Sequence, residues 1–125
     1  MKYLNKPVAY LQDFDFDSSG NLINQSIPKN KPVVIMIQAE FCGHCTTAKP
    51  AFQDFANKNK DRVFCATIQG DGKQKGEREL SKNINKIHPN FRGYPSYVVY
   101  KNNKFFKIHE GGRDLDSLTE LLNSI

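Results

Sequence analysis

Cys42 and Cys45 enclose Gly43 and His44 in the stretch "EFCGHC", Glu40 to Cys45, which follows the apolar run "VVIMI", Val33 to Ile37. Cysteine reacts as the thiolate, so a reactive thiol needs something beside it that stabilises negative charge. Cys42 falls where a predicted strand gives way to a predicted helix. Unpaired backbone N–H groups and the positive end of the helix dipole favour an anion there, and Cys-X-X-Cys thiols can fall well below the free value of about 8.5. Cys45 comes one turn further in, near enough to close a disulfide and less open to a partner molecule. Cys42 therefore reads as the attacking thiol and Cys45 as the resolving one. His44 can add positive charge beside the thiolate, and stabilising the dithiol raises the reduction potential, which makes the disulfide a stronger oxidant.

Two rival readings use the same residues. A closed zinc site wants four ligands, commonly as two pairs of short spacing. One such pair is present, and Cys65, His88 and His109 are isolated in sequence. The other rival is a turn with no chemistry, in which the domain would be a redox-silent, basic interaction module. With three cysteines in all, pairing Cys42 with Cys45 leaves Cys65 over; it sits between Phe64 and Ala66, where a thiol usually behaves as a small hydrophobe.

The elements that must hold these thiols can be read from periodicity. Val33 to Ile37 is apolar at both parities, the pattern of a strand buried on both faces. Beyond Cys45, residues Ala48, Ala51, Phe52, Phe55 and Ala56 recur at helical spacing, and Pro50 inside that stretch predicts a kink one turn after Cys45. "RVFCATIQ", Arg62 to Gln69, reads as a second buried strand and "GDGKQKG" as a loop. Leu80, Ile84 and Ile87 give a weaker helix closed by His88-Pro89. "SYVVY" and "KFFKIH" form a hairpin through Asn102-Asn103. A last helix carries Leu115, Leu118, Leu121, Leu122 and Ile125 inward, with Asp114 as its cap. The expected fold class is α/β: a central mixed sheet flanked by helices, the two buried strands joined by a parallel crossover.

Residues 1–31 are read as an extension or a first strand and helix preceding the 32–125 core. "DFDSSGNL", Asp15 to Leu22, matches the first half of a calcium loop, but Ser26 stands where a bidentate Glu belongs, so a polar turn is expected and no metal.

The 125 residues suit one domain with one core. Eighteen Lys and Arg against thirteen Asp and Glu leave a net charge of +5. The excess is scattered through stretches such as "NKNKDR" and "KQKGER" without interleaved aromatics, which argues for solvated faces over a nucleic-acid site. The longest apolar run is five residues, short of the ~20 that span a bilayer, and "MKYLNKPVAY" lacks the apolar middle of an export signal.

Four motifs in order, "KPVVIMIQAEFCGHC", Pro50 five residues after Cys45, "FRGYP" and "HEGGRDLDSL", resemble the thioredoxin superfamily, and more closely a catalytic domain of protein disulfide isomerase. The likeness runs from about residue 32 to the end. It implies the thioredoxin fold, thiol-disulfide exchange with protein thiols and disulfides through Cys42 and Cys45, and no organic cofactor. It also implies a cis peptide at Tyr94-Pro95, substrate docking along the backbone of Tyr94 with Phe41 and Tyr94 as an apolar rim, and Arg113 as a cation able to favour the Cys45 thiolate. Glutathione or a redox-recycling protein would be a partner, a monomer is expected, and the Cys-Gly-His-Cys form suggests an oxidising compartment such as the endoplasmic reticulum lumen, with the cytoplasm as the alternative. As a lone domain the chain is expected to exchange disulfides better than it isomerises them.

This sequence departs from that family pattern at three places. Met36 occupies the position, six residues before Cys42, where a buried carboxylate usually exchanges protons with the second cysteine. Cys65 falls near the place of the lysine that often partners that carboxylate, so both polar members of a buried pair are replaced by apolar residues. Phe41 replaces the usual Trp, keeping an apolar cover for Cys42 without the indole donor. The expectation is that Cys45 loses its proton through water or with help from Arg113, and that mixed disulfides are released slowly.

Overall fold

Val33–Gln38 is buried at every position, and a strand without a solvent face must lie inside a sheet covered on both sides. A computed structural model of the chain describes residues 3–125, and this strand is the middle of its five-stranded sheet. In chain order the elements are β1 (Ala9–Tyr10), β2 (Val33–Gln38), α1 (Gly43–Lys58), β3 (Phe64–Gln69), α2 (Lys75–Lys82), β4 (Ser96–Lys101), β5 (Lys104–His109) and α3 (Leu115–Ser124), with short 3-10 turns at Asp13–Asp15 and Ile84–Lys86. The sheet order is β1-β3-β2-β4-β5. β2 runs parallel to β3 and antiparallel to β4, and β4 and β5 form the hairpin. This is the mixed α/β sheet that the resemblance implied.

Strand alternation divides the interior into two layers. Val34, Met36, Cys65, Tyr97 and Val99 share one face with Ala48, Phe52 and Phe55 of α1 and Leu118, Leu121 and Leu122 of α3. Val33, Ile35, Ile37, Ala66, Ile68, Val98 and Tyr100 share the other with Leu80 and Ile87. Register carries the pattern across strands: Met36 lies between Thr67 on β3 and Tyr97 on β4. Phe52 is fully buried, its ring 6.0 Å from that of Tyr97 and 6.4 Å from that of Phe55, so α1 is clamped to the sheet directly behind the two thiols.

Local signals account for the element ends. Asn102 and Asn103 have φ of 52° and 67°, the left-handed pair that a two-residue hairpin turn requires and that Asn tolerates. The Asp114 carboxylate accepts from the backbone N–H of Ser117 at 3.0 Å and caps α3 as expected. Pro50 lies within α1. The helix predicted through Leu80, Ile84 and Ile87 is broken: α2 begins at Lys75, inside the stretch read as a loop, and ends at Lys82, after which Ile84 belongs to a separate 3-10 turn. The backbone N–H of Asn83 still bonds back into the helix while its side chain takes the Glu79 carbonyl, a local competition that ends α2 early.

One short segment before residue 32 joins the sheet. Ala9 and Tyr10 pair in parallel with Ala66 and Thr67 and cover the outer edge of β3. Asp15 to Leu22 folds as a polar turn closed by a Phe16–Leu22 bridge, in which the Asp17 carboxylate accepts from the backbone of Ser19 and Asn21. Gly20, at φ +84°, leaves no room for a side chain against the Lys86 carbonyl, and its own carbonyl accepts from the buried Tyr100 hydroxyl at 2.7 Å. Replacing Phe52 by Ala should cost about 3–5 kcal/mol of unfolding free energy in a denaturant titration. A loss below about 1 kcal/mol would contradict its place in the core.

Candidate active site

β2 ends at Gln38, and the chain turns through Ala39 to Phe41 into the first turn of α1. Cys42 is the N-cap of α1: its Sγ accepts from the backbone N–H of Cys45 at 3.1 Å, satisfying one of the donors that a helix start leaves unpaired. The same Sγ donates to the carbonyl of Tyr94 at 3.6 Å. Both thiols are unpaired, so this is the dithiol form. Cys42 is part-exposed, whereas Cys45 is 0% exposed. One sulfur can be reached from outside and the other cannot.

That difference sets the chemistry of Cys45. Burial pushes its thiol up to about 12, helped by its hydrogen bond with Cys42 and by the Cys42 charge; a backbone hydrogen bond from Ala39 and the Lys49 ammonium pull the other way. Burial alone pushes Cys65 up to about 12 as well, and its position on β3 opposite Val34, inside the α1 layer, is that of an inert core thiol.

The opposite wall is the loop before β4. The Tyr94–Pro95 peptide is cis, as the resemblance implied, and a second cis bond at Lys6–Pro7 had no counterpart in the sequence reading. Phe41, 72% exposed, sets its ring edge-on to Tyr94 at 5.8 Å, and Tyr94 meets Phe91 at 5.2 Å. Gly70 has no space for a side chain because the Tyr94 phenol lies against it. Gly43 and His44 are exposed on the first turn of α1, so His44 flanks Cys42 from the solvent side. Arg113 is exposed in the loop after β5, where it lines a groove of about 430 Å³ with Pro95, Tyr97 and His109.

Three residues of the site carried no readable signal or were passed over. The Asp71 carboxylate accepts from the backbone N–H of Glu40 at 3.0 Å and of Phe41 at 3.4 Å, tying the segment before Cys42 to the end of β3. Partial burial works against this anion, but hydrogen bonds from Glu40, Gln69 and Phe41 outweigh it and hold Asp71 below the usual carboxylate range. Lys49 is only 6% exposed although its type favours solvent, and its spacing of four from Cys45 could have marked it as sharing that face of the helix. Tyr97 is 2% exposed, and its alternation with Val99 on β4 was the available sign that it points at α1. Among the described residues there is no group of three or more His, Cys, Asp or Glu able to hold a metal ion.

Comparison with known proteins agrees with this geometry. The thioredoxin family model matches residues 10–124, which takes in Tyr10 of β1 and most of the segment that the sequence motifs had left outside the likeness. A thioredoxin-like protein of Invertebrate iridescent virus 6 is 44% identical over 135 residues, spanning 99% of this chain and 96% of its own length. The protein disulfide-isomerase erp38 of Neurospora crassa is 28% identical over 82% of this chain, which corresponds to only 27% of that protein. Thioredoxin-2 of Caenorhabditis elegans is 24% identical over 90% of this chain and 71% of its own length.

The Asp71 anchor gives a signed expectation. A carboxylate held low in the folded state contributes stability that is present above its unfolded value of about 3.9 and is lost as pH falls through its lower folded value. Asp71→Ala should therefore lower Tm at pH 7 and flatten the acid limb of a Tm-against-pH curve below about pH 4. An unchanged acid limb would show that the tie to Glu40 and Phe41 contributes nothing in solution.

Proposed function

The chain belongs to the thioredoxin family and is similar to the domains of protein disulfide isomerases, and from that membership we propose that it is a thiol-disulfide oxidoreductase acting on extended protein segments through Cys42 and Cys45. The observation that carries the reading is the asymmetry of the pair: a part-exposed sulfur at a helix N-cap facing the Tyr94 carbonyl, and a wholly buried sulfur one turn behind it.

Each residue then has a part. In the reducing direction the Cys42 thiolate attacks a substrate disulfide, forming a mixed disulfide and releasing one substrate thiol; Cys45 then attacks the Cys42 sulfur, closing the enzyme disulfide and releasing the second. The oxidising direction is the reverse. The backbone N–H of Cys45 supports the Cys42 anion in both. Gly43, with open space around its Cα, keeps that face uncovered, and His44 stands beside Cys42 on the solvent side. Substrate backbone pairs along the segment at Tyr94 and Pro95 as an added strand would, while Phe41 and Tyr94 offer ring surface to apolar side chains on either side of the substrate cysteine. Protein thiols and disulfides are the substrates, and glutathione or a redox protein recharges the site. No cofactor enters these steps.

Equilibration with glutathione buffers followed by thiol trapping, in a Cys65→Ser background, should give a two-electron couple between Cys42 and Cys45. A potential near about −180 mV places the chain with oxidants and isomerases, and one near about −270 mV with reductases, a gap of roughly 4 kcal/mol. Cys45→Ser should accumulate covalent adducts with a peptide disulfide and Cys42→Ser should form none. If no disulfide forms at any poise, the reading is wrong and a metal titration is the next experiment.

A further inference from the structure

Resolution of the mixed disulfide requires Cys45 as a thiolate at a position whose burial pushes the thiol up to about 12. Met36, six residues before Cys42 on β2, is wholly buried, and it offers no group that accepts a proton or supports an anion. Besides the buried Gln38–Thr67 hydrogen-bonded pair on β2 and β3, two further polar side chains bear on Cys45. Lys49 follows Cys45 by four residues on α1, is 6% exposed, and places its ammonium where it favours the Cys45 anion. Tyr97 stands beside Met36 on β4, is 2% exposed, packs its ring against Phe52, and is close enough to Cys45 that a charge on that sulfur bears on its hydroxyl.

The Tyr97 hydroxyl is buried and has no hydrogen-bond partner among the described residues. A buried hydroxyl without a partner is costly, and a core position filled only for packing would take Phe or Leu. An anion at Cys45 would supply the missing acceptor, directly or through one water. Arg113 and His109 reach the same phenol from the groove: the Arg113 charge acts on Tyr97, and the His109 ring meets its ring edge-on at 5.9 Å.

We propose that Lys49 and Tyr97 together support the Cys45 thiolate in this chain, as positioning residues that replace a buried carboxylate on β2. The inference rests on the exchange reaction above. Cys45 gives its proton to solvent and its thiolate, held by the Lys49 charge and the Tyr97 O–H, attacks the Cys42 sulfur. The Cys42–substrate bond breaks as the Cys42–Cys45 bond forms, and the departing substrate sulfur takes up a proton. The enzyme is oxidised by two electrons and the substrate disulfide reduced by the same two. The titratable or charged groups facing Cys45 are Cys42 and Lys49 from α1 and Tyr97 from β4, with Arg113 and His109 behind Tyr97.

The test uses 5,5′-dithiobis(2-nitrobenzoate) with the reduced Cys65→Ser protein in a stopped-flow instrument. The first thionitrobenzoate released reports attack by Cys42, and the second reports resolution by Cys45. Tyr97→Phe and Lys49→Met should each leave the first phase at the parent rate and slow the second about tenfold at pH 7, the thiolate lost for a one-unit rise of Cys45. The pH profile of the second phase should move to higher pH in both, while Tm of Tyr97→Phe stays equal or rises because an unpartnered hydroxyl has gone. Met36→Glu should speed the second phase in the parent and restore it in Tyr97→Phe. A second phase that keeps its rate or its pH profile in both variants overturns the inference and leaves the exchange reading standing. A parent protein that releases no second thionitrobenzoate overturns both.

Discussion

Ionising a sulfur inside a protein is the constraint on which this structure turns. The Cys42 sulfur meets the backbone N–H of Cys45 and the positive end of the α1 dipole. A thiol in the core has neither water nor that helix end to help it. The strand-to-helix junction sets the two sulfurs one turn apart, so the same bend that makes Cys42 reachable places Cys45 on the buried face of α1. β2, flanked by hydrogen-bonded neighbours on both sides, keeps the junction from moving, and Asp71 fixes its last free segment through the amides of Glu40 and Phe41. Catalytic asymmetry is thus a consequence of the sheet's rigidity more than of the sulfurs themselves.

What could be read in advance follows from the range over which each signal acts. Cys42, Cys45, the stripe from Ala48 to Ala56, the Asn102-Asn103 turn and the Asp114 cap are local patterns, determined within one or two turns of chain, and each stands where it was expected. Asp71 lies thirty residues from the amides it anchors, in a stretch whose glycines and lysines read only as loop. β1 is two residues long and exists because β3 has an open edge, which no periodicity within residues 1–31 could announce. The α2 break had a sign in Asn83, which competes for helix carbonyls, but the apolar spacing of Leu80, Ile84 and Ile87 carried across it.

Aromatic rings dominate the surface beside Cys42. Phe41, Tyr94 and Phe91 form a run of edge-on rings leading away from the sulfur, with His88 behind Phe91 at 5.6 Å. Rings held by one another lose little freedom when a side chain settles on them, so a flat aromatic rim can accept varied neighbours. Beside that rim stand the cis bond at Pro95 and the Tyr94 carbonyl, which accepts from the Cys42 thiol. Arg92, Arg113, His88 and His109, offset by Glu110, line a groove that also includes Pro95.

Met36 and Cys65 bear on how a proton-handling group can be moved within a fold. A buried carboxylate with a buried lysine is a coupled pair, and losing either member alone leaves an unpaired charge at a cost of several kcal/mol. Here both positions are apolar, in one layer with Val34 and Phe52, so no orphan charge is left. On the proposal above, support for Cys45 comes instead from Tyr97, opposite Met36, and from Lys49, one turn after Cys45. Neither new group carries a negative charge near the sulfur, so neither opposes the thiolate as a carboxylate does before it is protonated. A phenol can stabilise the anion but cannot take its proton at neutral pH, and burial raises Tyr97 further still. The exchange in this site is therefore one of support for the thiolate at the expense of a nearby base. That arrangement favours a resolving step whose rate follows hydroxide concentration over the step of a site with an internal acceptor.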